Sequence, residues 1–160
     1  LQFIGNDLVA VVRDVLARHA IPPRQLILEV TETSALGDMQ ASLGILNQIS
    51  ALGVRISIDD FGTGYSTLLY LKQLPATELK IDRAFVQNLQ PGSDDANIIA
   101  AIIELGRTLQ MRTVAEGVET LEQQQQLQAM GCDLVQGFHL ARPLPVDDFE
   151  QRYCTGSETA

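Results

Sequence analysis

The 160-residue sequence predicts an α/β fold built on a parallel sheet, and two observations carry that prediction. Short β-branched stretches alternate with amphipathic helical stretches along the chain, the pattern of βαβ units. Strand after strand also delivers a polar side chain at or near its C-terminal end, and in a parallel sheet those ends lie on one face. The alternation alone fits an open doubly wound sheet and an α/β barrel equally well.

The elements follow in order. "NDLVAVVRDVLARHA" (6–20) opens with cap-type residues and places Leu8, Val12, Val15 and Leu16 on one helical face. "QLILEV" (25–30) reads as a buried strand, and "QASLGILNQISALG" (40–53) as a helix stopped by Gly53. "VRISI" (54–58) is the next strand, followed by a helix over "STLLYLKQL" (66–74) that Pro75 ends. "ELKI" (78–81), "RTVA" (112–115) and "DLVQ" (133–136) are further strands, separated by helical stretches at about 94–109 and 119–130. The second of these stops at Gly131, and its run "QQQQ" (123–126) reads as a solvated face. A short helix over 146–152 closes the pattern, leaving residues 153–160 as a flexible tail.

Composition narrows the function. Hydrophobic residues make up 46% and charged residues 19%, the profile of a soluble globular domain. No apolar run approaches the ~18 residues of a membrane span, and the first residues lack a basic flank and cleavage site, so a cytoplasmic location is expected. Cys132 and Cys154 have no paired-ligand spacing and read as free thiols. A net charge of −9 opposes binding to polymeric nucleic acid. It leaves room for a small anionic ligand if a cation neutralises part of that charge.

The polar residues at the strands define a candidate site. Glu29 stands near the end of the first strand, Asp59 and Asp60 just beyond the second, and Lys80 inside the third. Glu116 follows the fourth strand and Gln136 closes the fifth. A lone Asp after a strand would be a turn or cap residue. Two adjacent ones repel unless a cation or proton lies between them. With Glu29 they form an all-oxygen set, suited to Mg²⁺ or Mn²⁺ rather than zinc. Lys80, flanked by Leu79 and Ile81, points away from both and is expected to pair with carboxylate or phosphate. Glu32 reads as a loop-anchoring group. Glu119, at a helix start, fits a dipole-favoured position as well as a functional one. His19 and His139 have no partners at ligand spacing and are assigned to structure.

These residues lie in segments that closely resemble one family. "LEVTET" (28–33), "IDDFGTGYS" (58–66), "LKIDRAFV" (79–86), "VAEGVET" (114–120) and "DLVQGF" (133–138), in this order, are similar to the EAL domain of bacterial cyclic di-GMP phosphodiesterases. The resemblance runs from residue 1 to about residue 152. It implies a modified TIM barrel with its site at the C-terminal mouth of the strands. Glu29 and Asp59 would be metal ligands, and Asp60 would help hold a second ion. Lys80 would contact the attacking water or a metal-bound ligand, and Glu116 would help activate that water or position the second ion. Glu32 would stabilise the loop after "DDFG", which the family links to dimerisation, and Glu119 and Gln136 match further site positions. The implied reaction is hydrolysis of cyclic di-GMP to linear pGpG, with two Mg²⁺ or Mn²⁺ ions and inhibition by Ca²⁺. A homodimer and an upstream sensory or GGDEF-type domain would be the partners.

The sequence also departs from the family. No Glu is followed by Ala, and none of Asn6, Asn47, Asn88 and Asn97 ends a strand, although the family takes two metal ligands from such positions. An eight-stranded barrel needs about 250 residues. The chain is therefore expected to be the C-terminal part of the domain, lacking the first strands and inactive by itself. Two other readings remain: a degenerate domain that binds cyclic di-GMP or a partner without hydrolysis, and an unrelated metal-dependent barrel enzyme acting on a phosphorylated metabolite.

Overall fold

A computed structural model describes residues 7–37, 39–62 and 68–154. Among them, five strands form one sheet: β1 (Ile27–Thr31), β2 (Arg55–Phe61), β3 (Glu78–Ile81), β4 (Arg112–Ala115) and β5 (Leu134–Val135). All neighbours pair in parallel, in the order β1-β2-β3-β4-β5. That order resolves the choice the alternation left open. A doubly wound sheet reverses its strand order at a switch point, whereas here each strand lies beside its predecessor, as in a (β/α) barrel.

Eight α-helices are described: α1 (Asp7–Arg18), α2 (Glu32–Gly37), α3 (Met39–Ala51), α4 (Leu68–Leu71), α5 (Arg83–Gln87), α6 (Asp94–Leu109), α7 (Leu121–Met130) and α8 (Val146–Tyr153). None is long and apolar enough to cross a membrane.

Strand register divides the sheet into an apolar and a polar face. Glu29 pairs with Ser57, Ser57 with Glu78, and Glu78 with Arg112, so these four residues share one face. Asp59 and Lys80, each two residues further along, share it too. The other face carries Val30, Ile56, Ile58, Leu79, Ile81 and Ala115, which form one core with Ile99 and Ile103 of α6 and Leu127 of α7. Ile56, Ile58, Leu79 and Ile81 are at most 1% exposed. Truncating any of them to Ala would cost about 2–5 kcal/mol. This apolar layer is the rigid floor on which the polar side chains stand.

Several local expectations shift. The strand expected at 25–30 starts later because Pro22 and Pro23 wind a 3₁₀ turn through Gln25. Two helices were not expected, α2 directly after β1 and α5 directly after β3, since both are too short to show a helical period. The helix expected over 66–74 is described only as Leu68–Leu71, residues 63–67 lying outside the described residues. On α1 the buried stripe is Val9, Val12 and Leu16, while Val15 is 39% exposed. His19 falls just past the end of α1. Gly53, with φ 89°, stops the chain after α3, and Gly131, with φ 84°, caps α7. Tyr153, assigned to the tail, still belongs to α8 and lies 5.1 Å from Phe149, ring to ring; residues 155–160 lie outside the described residues. Cys132 and Cys154 are free thiols.

Candidate functional site

The adjacent acids do not follow β2, as expected, but stand inside it. Ile58 pairs with Leu79 and Phe61 with Ile81, so β2 carries one residue more than β3 over this interval. This is a β-bulge at Asp59–Asp60, and Asp60 takes the left-handed conformation with φ 54°. In a regular strand, neighbouring side chains point to opposite faces and only one of the pair could reach the polar face. The bulge re-aims the second. Asp tolerates the left-handed region better than most residues, which suits the sequence to the distortion. Asp59, Asp60 and Glu116 then each present a carboxylate oxygen, all within 4.8 Å of one another.

Lys80 sits at the centre of the acidic cluster. Its Nζ lies 3.0 Å from Glu29 Oε2, 3.0 Å from Asp59 Oδ1 and 2.6 Å from Glu116 Oε1. The residue is 4% exposed. Burial by itself would favour the neutral amine, but the hydrogen bonds to Glu116, Glu29 and Asp59 outweigh it and raise its pKa. The side chain is therefore a fixed ammonium at neutral pH and cannot serve as a base. Glu29 enters the cluster through this ammonium, its own carboxyl being half exposed.

Glu32 begins α2 and is buried, and its Oε2 accepts a hydrogen bond from the Gly62 N–H at 3.0 Å. That bond ties β1's exit to the residue that follows β2. Gly62 has φ 101°, and a Cβ there would stand 2.9 Å from Phe85 Cε2, so only glycine fits. The remainder of the loop, 63–67, lies outside the described residues.

One charged neighbour escaped the sequence reading. Asp82 caps α5, accepting a hydrogen bond from the Ala84 N–H at 2.7 Å, and its carboxylate also acts on Asp60. Burial, then the charge of Asp59, then that of Asp82 push the Asp60 carboxyl above its ordinary value. The available signal was position: Asp82 stands two residues beyond Lys80.

Glu119 and Gln136 are placed differently from the other six. The helix expected from 119 begins at Leu121 with Thr120 as its cap, so Glu119 precedes the helix rather than opening it. Gln136 lies just past β5, its N–H donating to Ala115 O at 2.8 Å and its carbonyl accepting from Val118 N–H at 3.0 Å. Both side chains are exposed. Glu116 stands directly after β4, where its N–H donates to Ile81 O at 3.2 Å.

Chemically, three clustered carboxylates with no nitrogen or sulfur donor fit a hard divalent cation. A fixed ammonium beside them supplies positive charge that no proton transfer can remove. Together they suit binding and cleavage of an anionic ester.

A family model for the EAL domain matches residues 2–143. MucR of Pseudomonas aeruginosa, described as a bifunctional diguanylate cyclase/cyclic di-GMP phosphodiesterase, is 60% identical over 147 residues, which are 92% of this chain and 22% of MucR. The solved PaMucR phosphodiesterase in complex with c-di-GMP has a TM-score of 0.90 at 59% identity, covering 93% of this chain and 66% of that one. Klebsiella pneumoniae BlrP1, solved with manganese and cyclic di-GMP, has a TM-score of 0.81 at 33% identity, covering 88% of this chain and 36% of that one. The chain spans about a fifth of the length of the curated relatives it matches. On the family match along most of its length and on the parallel barrel-type sheet that carries the acidic cluster, the chain belongs to the EAL domain family.

Proposed function

We propose that the protein carrying this chain hydrolyses cyclic di-GMP to linear pGpG, breaking one phosphodiester bond with water. The observation that carries the reading is the joining of Glu29, Asp59 and Glu116 by one buried ammonium, Lys80, beside Asp60, in a chain of this family.

Asp59, Asp60 and Glu29 would hold Mg²⁺ or Mn²⁺, two ions in all, with Glu116 contributing to the second. Bound there, such ions supply a water of lowered pKa and neutralise charge at phosphorus. Lys80 stays protonated and steadies the negative charge that builds on the phosphoryl oxygens. Glu116 orients the attacking water and takes its proton, and as the P–O bond to the 3′ oxygen breaks, a proton from solvent neutralises the leaving alkoxide. Glu32, through its bond to the Gly62 N–H, holds the end of β2 just beyond the bulge. Glu119 and Gln136 line the approach of the nucleotide. Ca²⁺, which accepts looser coordination than Mg²⁺, would bind without supporting turnover. A homodimer and an upstream GGDEF-type domain are proposed by analogy with the family and with MucR.

Asp59→Asn in the full-length protein tests the assignment. We expect turnover to be abolished while cyclic di-GMP binding weakens far less. Wild-type turnover in that variant at saturating Mg²⁺ would overturn the metal assignment. Tight binding of cyclic di-GMP by the full-length wild type, with no pGpG formed in Mg²⁺ or Mn²⁺, would identify a non-catalytic receptor instead.

A further inference from the structure

Gln123, the first residue of the glutamine run, makes hydrogen bonds that a solvated helix face does not explain. Its Oε1 accepts from the backbone N–H of Glu119 at 2.8 Å and of Thr120 at 3.1 Å. In return its own N–H donates to Thr120 Oγ1 at 3.2 Å, completing a capping box at the start of α7. A Glu would cap equally well. The other end of the side chain needs an amide: Nε2 donates to the carbonyl of Val86, in α5, at 3.0 Å.

This bond joins two segments that carry site residues. The chain from β4 to α7 holds Glu116 and Glu119. The helix α5 leaves β3 through Asp82, two residues after Lys80, and Val86 within it is fully buried. A second point of closure supports the first, because Gly117, at φ 68°, approaches so closely that a Cβ there would lie 2.6 Å from Arg83 Cβ. Val118 is held on the β5 side by the Gln136 carbonyl and by the His139 N–H. Glu119 and Thr120 are the stretch whose amides Gln123 holds.

We propose that Gln123 is a positioning residue, which locks the segment bearing Glu116 and Glu119 onto the helix that follows the strand of Lys80. The 2.6 Å pair between Lys80 and Glu116 then keeps one geometry. The proposal rests on the reading of Glu116 as a catalytic residue, and it assigns the Gln123 amide a part in rate rather than in nucleotide affinity.

The discriminating variant is Gln123→Glu in the full-length protein. It keeps the cap acceptor but loses the donor to Val86 and sets a carboxylate against that carbonyl. We expect kcat to fall about tenfold with KM within about twofold, as small displacements of reacting groups do. The Glu119 and Thr120 amides should exchange with deuterium as slowly as in the wild type. Gln123→Ala should lose at least as much rate and also speed that exchange. Unchanged kcat in Gln123→Glu, even with a lowered melting temperature, would overturn the proposal, as would a raised KM at unchanged kcat. Glu116→Gln serves as control: if it turns over like the wild type, the catalytic reading fails rather than the positioning one.

Discussion

Replacing Lys80 by Met removes the charge around which the site is assembled and keeps much of the side chain's volume. The Lys80 side chain is 6% exposed and faces three carboxylates at 2.6–3.0 Å. Removing one partner of a buried ion pair costs about 3–5 kcal/mol, because the remaining charge is left uncompensated. Here the carboxylates are 52%, 22% and 19% exposed, so water recovers part of that loss, most of it at Glu29. The lower end, about 3 kcal/mol, applies. At about 2–4 °C per kcal/mol for a domain of this size, the melting temperature falls by about 6–12 °C in EDTA. Added Mg²⁺ should raise the melting temperature of the variant more than that of the wild type, since the acids have lost their internal cation. The sign of the pH dependence follows from the raised pKa of Lys80: its stabilisation is fully present below the ordinary lysine value of 10.5 and is lost only as pH rises through the higher folded value. The gap between the two proteins should therefore stay constant from about pH 6 to pH 9. Thermal unfolding of the EAL domain followed by circular dichroism measures both. A variant melting within about 2 °C of wild type in EDTA would refute the placement of Lys80 as the buried hub.

Three further outcomes are expected. Gly62→Ala should destabilise by about 1–3 kcal/mol, because the left-handed backbone and the contact with Phe85 both oppose a Cβ; chemical denaturation measures it. In the metal-free protein the Asp60 carboxyl should titrate above an ordinary aspartate by NMR, and Asp82→Asn should bring it down. Ionising Asp60 thus weakens the metal-free fold, and its contribution to stability rises as pH falls through the folded value, an effect that saturating Mg²⁺ should remove. The 160-residue chain by itself should show no turnover of cyclic di-GMP in Mg²⁺ and should self-associate in sedimentation, because β1 and β5 are unpaired edges among the described residues. Robust Mg²⁺-dependent turnover by that chain would show that the residues described here suffice.

The β/α alternation, the acids at the strand ends and the placement of Lys80 were legible because they depend on short-range pattern. Period-2 alternation aims Lys80 away from Leu79 and Ile81 wherever the strand packs, and glycine stops mark helix ends whatever surrounds them. The helices α2 and α5 were not legible, since one turn or so of helix is too short to carry a period and is held by what it packs against. Asp82 and Gln123 were hidden for a related reason. Each looks like an ordinary cap or surface residue until a distant segment is brought to it, Asp60 near the charge of Asp82 and the Val86 carbonyl onto the Gln123 amide.

The adjacent pair Asp59 and Asp60 separates what each level decided. By itself the sequence placed two adjacent carboxylates that repel unless a cation or proton lies between them, and it grouped Glu29, Lys80 and Glu116 with them. It could not say how neighbours on one strand reach the same face, because regular alternation forbids it. Only the pairing of β2 with β3 decided that, by absorbing an extra residue in a bulge and turning Asp60 into the left-handed region. Strand order was likewise a tertiary outcome, since the same alternation of elements permits two windings until hydrogen bonds between strands choose one.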